Sequence, residues 1–343
     1  MIKASVVAWQ SARLDWRALV FCAAVFALGC KSGNQAPAAQ AQDKPFMSTV
    51  AGSAPAVTPA DAAPPADRTG GFDGQRAYEL VAKQVSYGPR PAGSPALAQL
   101  QSYLETELKS YGCTVDTDSF VAHGTPAGDL PMKNIVAKIP GEKPGIILLG
   151  THYDTKRLDN FVGADDAGSS TAVMLEIARN LCARKQPEKY AVWIAFFDGE
   201  EAVNFNWEDP DNRYGSRQMA AQMAASGDLK KVRVFILADI VGGKNLHLPR
   251  EGNSNKSYAA QIWKVGQGLG YGDVFVTREV GPMSDDHLSF IARGVPTVDL
   301  IDLDLTDVPY WHTAQDTLDK ISPKSLAIVG HTLLASVDEL QKK

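Results

Sequence analysis

Cysteine is scarce in this chain: four in 343 residues, with no Cys-x-x-Cys pair. A cysteine-held metal site therefore has no support. Clusters of lysine and arginine are also missing, and 34 basic against 39 acidic residues give a formal net charge of -5. That balance excludes a protein built to hold nucleic-acid phosphates. Beyond the N-terminus no apolar run is long enough to cross a bilayer, which excludes a polytopic membrane protein. No internal repeat is found. The length is ample for a buried core, so neither metal nor disulfide is needed merely to fold it.

What is present begins with an address. Lys3, Arg13 and Arg17 precede an apolar stretch over residues 18–28, which ends at Gly29-Cys30. Basic, then apolar, then small is the order of an export signal. Ala27-Leu28-Gly29-Cys30 resembles a bacterial lipobox, which implies lipidation of Cys30; an ordinary secretory signal cleaved nearby is the other reading. Residues 1–30 are expected to be this signal. Residues 31–71, dominated by Ala, Pro, Gln, Ser and Gly, read as a flexible tether, and residues 72–343 as a single folded domain. The expected location is the periplasm, with Cys30 anchored in the outer membrane, or alternatively secretion. The lipid would be the only membrane contact. Export permits a disulfide between Cys113 and Cys182, and two buried thiols fit equally well.

In the folded part, apolar runs at 135–139, 146–150, 191–197, 232–238 and 295–301 read as buried strands. Helical spacing occupies 79–84, 96–111 (ending at Gly112), 171–184 and 257–269. Strands alternating with helices predict an α/β domain whose mostly parallel sheet is covered on both faces.

Chemistry gathers where these strands end. Thr151-His152-Tyr153-Asp154 follows one, Asp198-Gly199-Glu200-Glu201 another, and Asp239 a third. Gly163-Ala164-Asp165-Asp166 and Trp311-His312 stand in loops. Ligand sites of open α/β sheets lie beyond the carboxyl ends of strands, so these side chains should converge. Histidine with carboxylates and no cysteine is a ligand set for catalytic zinc. Adjacent Glu200 and Glu201 point in different directions, so one binds metal while the other handles protons. Each piece alone has a plainer role: a helix cap at Asp165 or Asp166, a satisfied buried His152, a solvated Glu200-Glu201, packing for Trp207 and Trp311, a turn at Asp285-Asp286. Together, in this order, they point to a metal site.

Gly150-Thr-His152-Tyr-Asp154-Thr, Gly163-Ala-Asp-Asp166, Phe197-Asp-Gly-Glu200-Glu201-Ala and Trp311-His312-Thr resemble the zinc-dependent aminopeptidases with co-catalytic metals and their relatives, the glutaminyl cyclases. The resemblance runs from about Tyr78 to the C-terminus. It implies one α/β domain with a twisted mixed sheet. It also implies zinc on Asp166, Glu201 and His312, with Glu200 as general acid/base. In the aminopeptidases a second zinc uses the positions of His152 and Asp239, bridged by Asp166; cyclases bind one zinc with the same residue types. Asp285-Asp286-His287, Trp207, Trp311 and the stretch Arg213-Tyr-Gly-Ser-Arg217 are cyclase-like, whereas Gln315-Asp-Thr-Leu-Asp-Lys320 fits the peptidases as well. Animal cyclases have a cysteine pair where Thr151 and Thr171 stand.

The resemblance therefore implies a cyclase acting on peptides or proteins with N-terminal glutamine. Asp239 and Asp286 would form a carboxyl network beside Glu200, and Trp207 and Trp311 would wall the substrate pocket. The rival is a two-zinc aminopeptidase with His152 and Asp239 as extra ligands. A third reading, a binding ectodomain without catalysis, is disfavoured because every expected ligand and the base are present.

Overall fold

The computed structural model describes residues 57–343, so the expected signal, Cys30 and the tether as far as residue 56 lie outside the described residues. Packed structure begins before the expected boundary at residue 72. Thr69 and Phe72 are fully buried, and Ala63 packs on the main core. The Lys324 N–H donates to the Asp61 carbonyl at 3.0 Å. That N–H belongs to a helix's first turn, where backbone donors have no intrahelical partner. An Ala/Pro-rich strip, read as tether from composition, is thus held where a helix end needs an acceptor.

Helix α1 (Gly74–Val85) starts at Asp73, whose side chain accepts from the Arg76 N–H. Helix α2 (Pro95–Ser110) starts at Ser94, with proline in its first turn where no N–H is missed. Gly112 follows α2 at φ 82°, the left-handed conformation expected of it. The chain then makes β1 (Thr114–Thr125), β2 (Gly128–Ile139) and β3 (Gly141–His152). After these come α3 (Gly168–Cys182), β4 (Glu188–Phe197), α4 (Tyr214–Ser226), β5 (Val232–Asp239) and β6 (Leu248–Arg250). Helix α5 (Lys256–Gly268), β7 (Phe275–Glu279), α6 (His287–Ile291), β8 (Thr297–Ile301) and α7 (Pro323–Gln341) complete it.

Six strands form one mixed sheet in the order β1-β2-β4-β3-β5-β8, while β6 and β7 pair separately. Strands β4, β3, β5 and β8 are mutually parallel, and β2 joins them antiparallel, with β1 antiparallel at the edge. The two-residue period of a strand divides its side chains between faces. Ile147, Leu149, Val234 and Ile236 meet α1, α2, α3, α5 and α7 in the larger core. Ile146, Leu148, Phe235 and Leu237 meet α4 and α6 in the smaller one. The expected α/β domain with a mostly parallel sheet covered on both faces is what the chain adopts.

The sequence runs did not announce every element. Strand β1 and the start of β2 form a largely exposed, polar edge hairpin. Helix α7 is buried on nearly all sides, so it carries no apolar stripe to read. The strand expected from residue 295 begins at Thr297, since Pro296 has no N–H for the ladder. Cys113 and Cys182 form a disulfide, with Cα atoms 5.2 Å apart, joining the approach to β1 with the end of α3. No helix among the described residues is long and apolar enough to cross a membrane.

Candidate active site

Parallel strands deliver the site. His152 is the last residue of β3 and Asp239 the last of β5, while Glu200 and Glu201 stand at the start of the long connection that leaves β4 for α4. Asp166 arrives just ahead of α3 and Asp285 just ahead of α6; His312 comes from the long connection between β8 and α7. Neither Asp165 nor Asp166 caps α3. Asp165 instead accepts from the Tyr310 hydroxyl (2.7 Å) and the Gly242 N–H (2.8 Å).

Asp166 is the pivot. Its Oδ1 is 3.2 Å from His152 Nε2 and its Oδ2 is 3.3 Å from His312 Nε2. His312 Nε2 also lies 3.1 Å from Glu201 Oε1, and His152 Nε2 lies 3.1 Å from Asp239 Oδ1. Two ligand groups result, Asp166–Glu201–His312 and His152–Asp166–Asp239, with donor atoms within 4.8 Å of one another in each. Asp166 Oδ1 and Glu201 Oε2 are buried without a hydrogen-bond partner. Such orphaned atoms cost about 1–3 kcal/mol each, and a cation would take up their lone pairs. The donors fit zinc by chemistry as well as position.

A second layer holds these ligands in place. Asp154 accepts from the N–H groups of Glu200 (3.1 Å) and Glu201 (3.3 Å). Asp316 does the same for Asp165 (2.8 Å) and Asp166 (3.1 Å). The Thr171 hydroxyl donates to the His152 carbonyl at 2.7 Å, and Thr151 donates to Ser170 at 2.8 Å. These threonines tie the end of β3 to α3 where animal cyclases are expected to have cysteines. Gly163 is required: a Cβ there would sit 2.0 Å from the Asp166 carbonyl oxygen. Ile240 and His312, both non-glycine, adopt φ of 47° and 51° beside the cluster, a strained conformation that accumulates at functional sites.

The groups open onto a cavity of about 570 Å³, floored by Asp166, Glu200, Glu201, Asp239 and Asp285 and walled by Trp207, Trp311 and Ile240. Burial pushes Glu200 well above the ordinary carboxylate range; His152 opposes, while Asp285 and Glu201 add to the rise. Asp239 is raised to about 7 and Asp285 to about 6, burial being the first cause in each, with His152 opposing. His312 is pushed up to about 10: burial disfavours its charge, but Glu201 and Asp166 outweigh that. A site so placed suits proton transfer near neutrality.

One expected residue is displaced by its neighbour. Asp286 was to join the carboxyl network, but it is fully buried and does not line the cavity, whereas Asp285 does. Adjacent residues at a helix start face different ways, and the sequence did not fix which would turn inward. Lys156 was not foreseen. Its buried ammonium lies 3.5 Å from Glu201 Oε2 and donates to the Ala202 carbonyl at 2.9 Å. Asp198, expected among the strand-end acids, does not line the cavity; it accepts from Gln101 and from the Lys133 N–H.

An acid-floored pocket with a His/Asp/Glu ligand set at the strand ends of an α/β sheet defines the zinc exopeptidase class, and residues 134–337 match Peptidase family M28. The chain belongs to that family. Among its relatives, the bovine (Bos taurus) glutaminyl-peptide cyclotransferase-like protein is 30% identical over 285 residues, covering 73% of this chain and 72% of that one. The crystal structure of an Acidobacteriales bacterium glutaminyl cyclase is 38% identical with TM-score 0.73, covering 79% of this chain and 95% of that one. A Zn-dependent exopeptidase from Parabacteroides distasonis is 28% identical with TM-score 0.70, over 78% and 98% of the two chains. The family and these neighbours imply zinc.

Proposed function

We propose that the chain is a zinc-dependent glutaminyl-peptide cyclotransferase, which turns the N-terminal glutamine of a peptide or protein into pyroglutamate and releases ammonia. The observation that carries this is that Glu200, Asp239 and Asp285 line one cavity together with Trp207 and Trp311, and that Asp166, Glu201 and His312 enter the same cavity. The cyclases among its relatives support the same reading.

Asp166, Glu201 and His312 would hold one zinc ion. Bound there, zinc supplies Lewis-acid polarisation of the glutamine side-chain carbonyl. Trp207 and Trp311 hold the side chain and keep water from the reacting carbon. Glu200 takes a proton from the α-amine as its nitrogen bonds to the side-chain amide carbonyl carbon, Cδ. The bond from that carbon to the side-chain amide nitrogen breaks, Glu200 returns the proton to it, and ammonia leaves. Asp239 and Asp285, close to Glu200 and raised by burial, share the proton load.

A second reading is favoured by one observation: Asp166 offers separate oxygens to His152 and His312. That arrangement suits two zincs, with His152 and Asp239 as added ligands, in an aminopeptidase that cleaves the first peptide bond. In the cyclase His152 and Asp239 bond to each other instead. Export belongs to the proposal too: a lipid on Cys30 holding the domain at the outer membrane in the periplasm, or secretion without it. The Cys113–Cys182 bridge supports an oxidising compartment.

Replacing Glu200 with glutamine tests the assignment. Zinc content should be unchanged while turnover falls by roughly 10²–10⁴-fold. Turnover at the wild-type rate with zinc bound would remove Glu200 from its role.

A further inference from the structure

Behind the cavity lies a second buried polar group that the proposed chemistry does not use. His287 is fully buried, with Glu251 and Asp299 at 3% and 0% exposure. His287 Nε2 is 3.6 Å from Glu251 Oε2, and Nδ1 is 3.5 Å from Asp299 Oδ2. Each acid faces a different ring nitrogen. Both ring nitrogens and both Asp299 oxygens are buried without a hydrogen-bond partner, and one donor atom from each of the three residues lies within 4.8 Å of the others.

Glu251 grips the chain twice. Its Oε1 accepts from the Met283 N–H at 2.8 Å and from the Asn253 N–H at 2.7 Å, while Asn253 donates to the Met283 carbonyl at 2.9 Å. Its Oε2 accepts from Ser254, whose hydroxyl also receives the Asp299 N–H. Met283 and His287 lie on either side of Asp285, the acid that faces the cavity. Between them Ser284 accepts from the Trp207 indole at 3.0 Å. The short segment 283–287 therefore carries both an acid of the floor and the support of a wall; Glu251 and Asn253 hold its Met283 end by hydrogen bonds, and the His287 ring packs against Glu251 and Asp299 at the other.

We infer that Glu251, His287 and Asp299 form a dry polar clamp that positions Asp285, and through Ser284 also Trp207, for the cyclisation proposed above, on which this inference rests. They are positioning residues and touch no substrate. Burial holds His287 down to about 4, so the ring packs between the two acids in its neutral form. An error of about 1 Å in such placement is enough to cost on the order of 100-fold in rate.

The test is steady-state kinetics of the purified full chain on a peptide beginning with glutamine, with bound zinc counted and kcat expressed per zinc. Glu251→Ala should lower kcat by about 10–100-fold, the range for groups that orient a site from behind, with KM within about threefold of wild type. Glu251→Gln keeps the carbonyl oxygen that accepts from Met283 and should stay within about threefold of wild-type kcat. If the alanine variant does not fold, His287→Asn carries the test, with kcat per zinc down at least about tenfold. A merely structural role would reduce the yield of folded protein but leave kcat per zinc intact, and that outcome would overturn the clamp. So would a glutamine variant as impaired as the alanine one. Zinc lost on replacing His287 would overturn it in favour of a cation held there. If the wild-type chain hydrolyses peptides instead of cyclising them, the cyclase reading fails, and the same comparison on hydrolysis still decides the clamp.

Discussion

The indole of Trp311 lies flat on the imidazole of His312, with ring centroids 4.0 Å apart and planes inclined by 22°. One residue thereby walls the cavity and also stacks on the ring of an expected zinc ligand, while Phe161 meets the same imidazole edge-on at 5.9 Å. Trp311→Ala should lower kcat/KM on a glutamine-initiated peptide by roughly 10–100-fold and weaken zinc binding. Titration with a competing chelator, alongside the kinetics, checks both effects. Wild-type zinc affinity would show that the stack does not orient His312.

Asp316 reaches across from the His312 connection to accept two backbone N–H groups at Asp165 and Asp166. Asp316→Ala leaves both donors buried and unpaired, at about 1–3 kcal/mol each. Zinc affinity should fall by about 10–100-fold, measured by the same competition. Unchanged affinity would mean that Asp166 is placed by the glycine loop alone.

The Cys113–Cys182 bridge closes a loop with a sequence separation of 69. On the chain-entropy account such a loop is worth about 4 kcal/mol. Urea unfolding of the Cys113→Ser, Cys182→Ser double variant should show a loss of that order against the oxidised protein. Equal midpoints under oxidising conditions would refute it.

Burial raises Asp302 to about 7 from an ordinary 3.8. The folded chain therefore keeps a proton that the unfolded chain gives up between those values. The stability this contributes is fully present below about pH 4 and is lost as pH rises through about 7. Its size is on the order of 4 kcal/mol. Asp302→Asn should erase this dependence, so the variant gains stability over wild type in moving from about pH 5 to pH 8. Parallel urea curves at both pH values decide it, and a constant difference would contradict the shift.

The catalytic floor was legible because its residues sit in short motifs at the ends of apolar strands, and strand ends converge whatever the loops do. The side chains behind it were less so. Asp154 and Asp316 act by accepting backbone N–H groups, a role that no residue spacing records. Asp285 and Asp286 are chemically identical neighbours, and only the entry angle of α6 decides which turns inward. Helix α7 escaped because a helix buried all round carries no stripe, and β1 because an exposed edge carries no apolar run. The boundary at residue 72 was misplaced by composition: alanine and proline describe a segment with little core of its own, yet the orphan N–H of Lys324 gives it somewhere to bind.

The central claim is tested most directly by mass spectrometry of a glutamine-initiated peptide incubated with the purified protein and zinc. Loss of one ammonia with the chain otherwise intact is the predicted result. Release of the free N-terminal amino acid, with a peptide shorter by one residue, would contradict it and make His152 and Asp239 ligands of a second zinc.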